Sequence, residues 1–295
     1  MRIGRYQTQT DDTAWSGAVI DDETVVRLSE AGRAADVEIP ESTVGLLETP
    51  DWHARATRAL DRAAETGAGC HDIDTVVHAA PVATPGKVVC VGRNYRAHAA
   101  EGGNVAPDAP VLFSKFRSSI EGPGATVSWD PNYATQVDYE AELVVVIGEQ
   151  TRDVDPEDAM GHVAGYLVGN DITARDLQTA DGQWIRGKNL EGFAPIGPEL
   201  VTAEEVADPH DLAIYTEIDG ERLQDASTAQ LVFGVDELIA FCSRAFPLAP
   251  GDLLFTGTPE GVGIHRDPPV LLGDGDTVTV GVEGLGELVT HCSHD

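Results

Sequence analysis

From Lys87 onward the chain alternates short apolar runs with Gly- and Pro-containing breaks. KVVCVG, VLFSK, ELVVVIG, VAGYLVGN, LAIYTEI, DLLFTG and TVTVGV have the length and apolar content of strands. Asp219-Gly220 in LAIYTEIDGERL sits between two such segments and predicts a hairpin. Two helices are expected there. DPEDAMGH offers Asp155 as a cap with Pro156 in the first turn, and VDELIAFCSRAF, from Val235, has apolar residues at helical spacing. Earlier in the chain, WSGAVIDDETVVRLSE predicts two strands joined at an Asp-rich turn, and HARATRALDRAAE, from His53, predicts a helix. HAAPVATPGK then resembles a Pro-punctuated linker. This pattern divides the chain into a small N-terminal domain, 1–82, and a larger domain, 83–295. Many strands with few helices predict a mainly β (α+β) architecture, a sandwich or rolled sheet.

One strand pattern carries an anomaly. In QVDYEAELVVVIG the residues Asp138, Glu140 and Glu142 alternate, so they share a face with Val144 and Val146. Burying unpaired carboxylates is costly, so either the front of this strand reaches solvent or something positive sits there. Asp171 ends another apolar run, VAGYLVGND, at a strand end. Glu140, Glu142 and Asp171, with no Cys or His nearby, suit a hard cation: Mg²⁺, Mn²⁺ or Ca²⁺. A solvated strand end explains the same spacing.

Charge narrows the classes. The chain of 295 residues has 50 acidic and 19 basic residues, a formal net charge of −31, and no acidic tail. Such a surface suits a salt-rich cytoplasm, where screening removes self-repulsion. No basic patch supports nucleic-acid binding. Cys70, Cys90, Cys242 and Cys292 form no CxxC pair and suggest neither a disulfide framework nor a zinc site. MRIGRYQTQTDD has no apolar signal core, and no apolar run approaches the ~20 residues of a membrane span. The expectation is a soluble cytoplasmic protein. GxSxG, HExxH and a strand-linked GxGxxG are missing, which argues against a serine hydrolase, a zinc protease and a nucleotide enzyme.

Three further groups offer chemistry. In GRNYRAHAAE, from Gly92, His98 and Glu101 are three apart and face each other on a helical turn, as a general base with its orienting carboxylate or as an ordinary surface pair. Only Lys87, Lys115 and Lys188 are lysines among 19 basic residues. A buried lysine suits a substrate carboxylate or an enolate, although three survivors of an arginine-rich composition need no function. In FTGTPEGVG, from Phe255, Thr258 lies in a Gly-rich turn that offers N–H groups to an anion, or is simply a tight loop.

Together and in this order, GRNYRAHAAE, PVLFSKFRSSIEGPG, VDYEAELVVVIG, GYLVGNDITARDLQ, QWIRGKNLEGFAPIGP and FTGTPEGVG resemble the fumarylacetoacetate hydrolase superfamily over about residues 85–290. The resemblance implies a mixed β-sandwich roll, a homodimer, and Mg²⁺ or Mn²⁺ held by Glu140, Glu142 and Asp171. It implies His98 and Glu101 as the water-activating pair on a lid, Lys188 as the cation for a developing enolate, and Lys115, Arg175, Gln178 and Thr258 as substrate contacts. Gly92-Arg93-Asn94 stands where the archetype has a further metal-binding aspartate, so three protein ligands are expected. The implied substrate is a small 2-oxo or 2,4-dioxo acid. The implied reaction is C–C hydrolysis of the acylpyruvate type or isomerisation of 2-hydroxyhepta-2,4-diene-1,7-dioate. The alternatives are dehydration of 2-keto-3-deoxy sugar acids, decarboxylation of oxaloacetate, or cation binding without turnover.

Overall fold

The computed structural model describes residues 1–8 and 13–295. Residues 9–12, part of the N-terminal stretch read above for a signal core, lie outside the described residues. Among those described, no helix is long and apolar enough to cross a membrane.

The protein is built mostly of sheet. A large mixed sheet runs, in spatial order, through Cys70–Asp72, Thr24–Arg27, Trp15–Val19, Arg2–Thr8, Ala194–Thr202, Val163–Asn170, Ala141–Ile147, Leu253–Phe255, Val88–Gly92 and Val111–Ser114. A five-stranded sheet contains Glu221–Ser227, Ala213–Ile218, Thr277–Val282, Gly286–His294 and Thr126–Trp129. The strand Ala141–Ile147 is buried on both faces. Leu143 and Val145 join a core with Val278, Val280 and Leu288 of the second sheet and with Leu238 and Ile239 of the helix Val235–Ala245. Val144 and Val146 join another core with Leu28, Leu46, Ala56 and Ala59 from the N-terminal helices. Sandwiching one strand between two cores explains its unbroken apolar run.

The hairpin forms as expected: Ala213–Ile218 pairs antiparallel with Glu221–Ser227, and Asp219 and Gly220 take φ of 49° and 83°. Trp15–Val19 and Thr24–Arg27 pair across the Asp-rich turn. The helices from the expected segments are Trp52–Thr66, Pro156–Ala159 and Val235–Ala245. Asp155 stands at the N-cap position without a side-chain capping bond. The pattern missed Ala194–Thr202, a central strand carrying Pro195 and Pro198. Proline cannot donate to a ladder, so this segment read as a break. It pairs with Arg2–Thr8, whose N-terminal strands thereby extend the same sheet.

Acid groups such as Asp21, Asp22, Glu23, Asp153, Asp155, Glu157 and Asp158 lie exposed. Their mutual repulsion weakens as the Debye length falls from ~30 Å at 0.01 M to ~3 Å at 1 M salt. Raising KCl over that range is expected to increase Tm by about 4 °C or more, a shift worth roughly 2–3 kcal/mol in a chain of this size. Scanning calorimetry at several KCl concentrations checks this, and a flat or falling Tm would contradict it.

Candidate active site

Strand register assembles the acidic cluster. Ala141–Ile147 runs antiparallel to Val163–Asn170 with Ala141 opposite Asn170. Glu140 and Asp171, the next residue on each chain, are therefore neighbours, and the Asp171 N–H donates to the Glu140 carbonyl at 2.9 Å. The Asn170 side chain locks the junction by accepting the Glu140 N–H at 3.0 Å. Glu142 follows two residues on, on the same face. Glu140, Glu142 and Asp171 are all buried, and each offers an oxygen within 4.8 Å of the other two.

The anomaly in the sequence thus resolves: the acids do not reach solvent, and cations meet them. Lys188 Nζ lies 2.8 Å from Glu140 Oε2 and 2.7 Å from Asp171 Oδ2. Lys115 Nζ lies 2.5 Å from Asp171 Oδ1, and Arg175 Nη1 lies 2.7 Å from Glu140 Oε1. Burial pushes the Glu140 pKa up, but Lys188 and Arg175 outweigh it and hold the group below its ordinary value. Burial likewise disfavours charged Lys188, yet Asp171 and Glu140 raise its pKa. Glu142 differs. It accepts the Gly257 N–H at 2.7 Å but pairs with no basic side chain among the described residues. Burial, then Asp171 and Glu140, push its pKa well up. A buried oxygen-only cluster with one carboxylate lacking a countercharge fits a hard divalent cation.

Local packing delivers Lys188. It ends a short helix, Ile185–Lys188, that presses on the preceding helix Arg175–Asp181. Gly187 permits this approach: a Cβ there would meet the Ala174 carbonyl oxygen and the Gln178 nitrogen at 2.7 Å. The other two lysines separate. Lys115 donates to the Ile172 and Lys188 carbonyls and does not line the cavity, so it braces Asp171 from behind rather than reaching the position expected of a substrate contact. Lys87 pairs with Asp252 at 2.7 Å, away from the acidic cluster.

His98 and Glu101 lie on the helix Arg96–Glu101, with His98 Nδ1 2.8 Å from Glu101 Oε1. A carboxylate only accepts, so Nδ1 carries the proton and Nε2 is left as an acceptor. Glu101 Oε2 accepts the Gly261 N–H at 2.9 Å. Three amides of the Gly-rich turn read as an anion binder serve the protein's own carboxylates. Gly257 N–H serves Glu142, Gly261 N–H serves Glu101, and Gly263 N–H serves Asp138. Thr258 from this turn lines the cavity, and its hydroxyl accepts from Gln224 Nε2 at 2.9 Å. Gln224 is buried and also accepts the Ala141 N–H and the Thr216 hydroxyl while donating to the Pro259 carbonyl. Sequence reasoning passed it over, because one Gln in a hairpin strand carries no signal.

Asp138 is the other residue whose task the sequence hid. It is fully buried, accepts the Gly263 and Ile264 N–H groups, and holds Arg175 Nε at 2.8 Å. Arg175 is thereby fixed between Asp138 and Glu140, with Nη2 buried and without a hydrogen-bond partner among the described residues. Asp138→Ala leaves that guanidinium half-compensated. It is expected to cost about 3–5 kcal/mol, as breaking a buried pair does. Urea unfolding checks this, and a loss below about 1 kcal/mol, the scale of an exposed pair, would contradict it.

These side chains border one cavity of about 250 Å³. His98, Glu140, Glu142, Arg175, Gln178, Lys188 and Thr258 line it, joined by Arg93, Phe113, Trp184 and His265. Asp171 and Glu101 stand directly behind Lys188 and His98 through the contacts above. Of the site residues expected from the sequence, Lys115 lies outside both groups, and the third lysine, Lys87, is away from the cavity.

Comparison with known proteins gives the family and the fold. The model of the fumarylacetoacetate (FAA) hydrolase C-terminal family matches residues 87–292. The chain belongs to the fumarylacetoacetate hydrolase family. A bovine family member, the mitochondrial oxaloacetate tautomerase FAHD2B, is 42% identical over 258 residues, covering 87% of this chain and 81% of the relative. The fumarylacetoacetate hydrolase of Exiguobacterium antarcticum superposes with a TM-score of 0.82 at 34% identity, covering 100% of both chains. The 2-hydroxyhepta-2,4-diene-1,7-dioate isomerase of Mycobacterium marinum superposes with a TM-score of 0.77 at 33% identity, covering 100% of this chain and 99% of that one. The mixed-sheet architecture expected from the resemblance is thus the one observed.

Proposed function

We propose that the protein is a divalent-cation-dependent enzyme that interconverts the keto and enol forms of short 2-oxo acids, with Mg²⁺ or Mn²⁺ held by Glu140, Glu142 and Asp171. The observation that carries this reading is the meeting, around one cavity, of a buried carboxylate cluster, a lysine and an oriented histidine. A bound divalent cation would supply Lewis-acid polarisation of the 2-oxo group. The rest falls to the chain's own residues. His98 Nε2 is the free acceptor for a substrate proton, and Glu101 steadies the imidazolium that results. Lys188 supplies a fixed positive charge where negative charge develops. The unpartnered Arg175 Nη2 is a donor for a substrate carboxylate. Names of relatives support the class: oxaloacetate tautomerase and dienedioate isomerase both describe enol–keto chemistry.

C–C hydrolysis of a 2,4-dioxo acid is the second reading. It is favoured by the same His98–Glu101 pair, which can take a proton from water instead of from carbon, and by the hydrolase among the structural neighbours. Offering oxaloacetate, a hydroxy-dienedioate and an acylpyruvate, each with and without Mg²⁺ or Mn²⁺, separates the readings by ultraviolet absorbance. A metal-dependent spectral change without pyruvate release supports the tautomerase or isomerase. Pyruvate release from the acylpyruvate supports the hydrolase, and carbon dioxide release from oxaloacetate supports a decarboxylase. If metal binds but no 2-oxo acid reacts, 2-keto-3-deoxy sugar acids included, the protein is a cation-binding module. The acidic composition supports work in a salt-rich cytoplasm, and the family resemblance supports a homodimer. Light scattering across salt concentrations tests the latter.

A further inference from the structure

A second cavity, of about 800 Å³, adjoins the first and is lined largely by apolar groups, among them Val89, Val111, Ile185 and Phe246. Arg93, Phe113 and Trp184 border both cavities. Of these, Trp184 is held on three sides. Its ring meets Phe113 edge-on at 5.2 Å, and the Arg93 guanidinium lies 5.8 Å from its centre. On the third side it lies against the backbone of Gly92, where a Cβ would meet ring carbons at 2.4 and 2.6 Å. Gly92 is thus the recess that seats the indole. The same helical turn sets the ring's position relative to the chemistry, because Lys188 N–H donates to the Trp184 carbonyl at 3.0 Å.

We infer that Trp184 is the specificity-determining partition of the site: it closes the polar cavity off from the apolar one and so limits the substrate to short 2-oxo acids. The inference rests on the 2-oxo acid reading. Size agrees with it. The polar cavity lies below the ~300–1,000 Å³ range of pockets for drug-sized ligands, whereas the second falls inside that range. Removing the indole joins the two spaces and gives an apolar chain somewhere to go, with the 2-oxo acid head still held at Arg175 and Lys188.

The test is calorimetric titration of the Mg²⁺-loaded protein with straight-chain 2-oxo acids from pyruvate to 2-oxooctanoate. It needs no turnover. Wild type is expected to bind the short acids best. Trp184→Ala is expected to gain about tenfold or more for 2-oxooctanoate relative to pyruvate, roughly what two buried methylenes supply. Gly92→Ala, whose new methyl expels the ring without shortening it, is expected to gain in the same direction. Trp184→Phe keeps a ring and is expected to stay closer to wild type, which guards against a loss of folding in the alanine variant. Length profiles of Trp184→Ala and Gly92→Ala that run parallel to wild type would overturn the partition while leaving the 2-oxo acid reading intact. A wild type that already prefers 2-oxooctanoate would also overturn it. If no form binds any of the acids, the 2-oxo acid reading falls and the partition with it.

Discussion

Replacing His98 by alanine is expected to lower kcat by about 10²–10⁴-fold, the usual contribution of a positioned general acid or base. Metal affinity should hardly move. Among the described residues, His98 hydrogen-bonds to Glu101 and not to the acidic cluster, on which it acts only as a neighbouring charge felt by Glu140 after Lys188 and Arg175. The distinction matters, because a protein that merely stores a cation has no use for an oriented imidazole. Glu101→Gln keeps the shape but removes the charge that steadies the imidazolium, so it should lower kcat by a smaller factor. Steady-state kinetics with a metal titration by calorimetry reads both quantities. Unchanged turnover in His98→Ala, or loss of metal binding equal to loss of turnover, would contradict the assignment.

Lys188→Met is expected to lower kcat by about 10²–10³-fold, as removal of one fixed charge-stabilising group does elsewhere. Its effect on the metal should run the opposite way. Lys188 Nζ now occupies Glu140 Oε2 and Asp171 Oδ2, so a divalent cation must share those oxygens with it. Without the ammonium the carboxylates face the cation alone, and binding tightens. The metal-free variant should also lose about 3–5 kcal/mol, because two buried acids lose a partner. Added Mg²⁺ or Mn²⁺ should therefore raise Tm more in Lys188→Met than in wild type. An equal or smaller rise, or activity close to wild type, would contradict this role.

The sequence made the chemistry more legible than the scaffold. The ExE alternation at Glu140 and Glu142 survives because strand geometry turns a spacing of two into one face. The three-residue spacing of His98 and Glu101 survives because a helical turn does the same. Asp171 was placed at the end of its strand, but only the register of Ala141 opposite Asn170 shows that it meets Glu140. Pairing across 30 residues of sequence has no local signature. The same limit hid Asp138, which its spacing put on the acidic face but whose partner Arg175 lies on a helix 37 residues away. For Lys115, rarity and the family resemblance suggested a substrate contact, and only packing shows that its ammonium meets Asp171. Among the elements, Ala194–Thr202 escaped because its prolines contradict the pattern of a central strand, while the flanking strands impose one.

In the proposed function, Glu140, Glu142 and Asp171 hold a divalent cation beside Lys188 in order to form enols from 2-oxo acids. Tautomerisation, isomerisation and dehydration begin with loss of a proton next to the 2-oxo group, and hydrolysis and decarboxylation end with a proton returned there. The most direct measurement is proton NMR of oxaloacetate in D₂O, following exchange of the C3 protons with metal-stripped protein before and after Mg²⁺ or Mn²⁺ is added. Exchange is expected to be faster than with free metal alone, dependent on the cation, and lost in Lys188→Met and Glu142→Gln. Exchange no faster than with free metal, or unaffected by both substitutions, would contradict it.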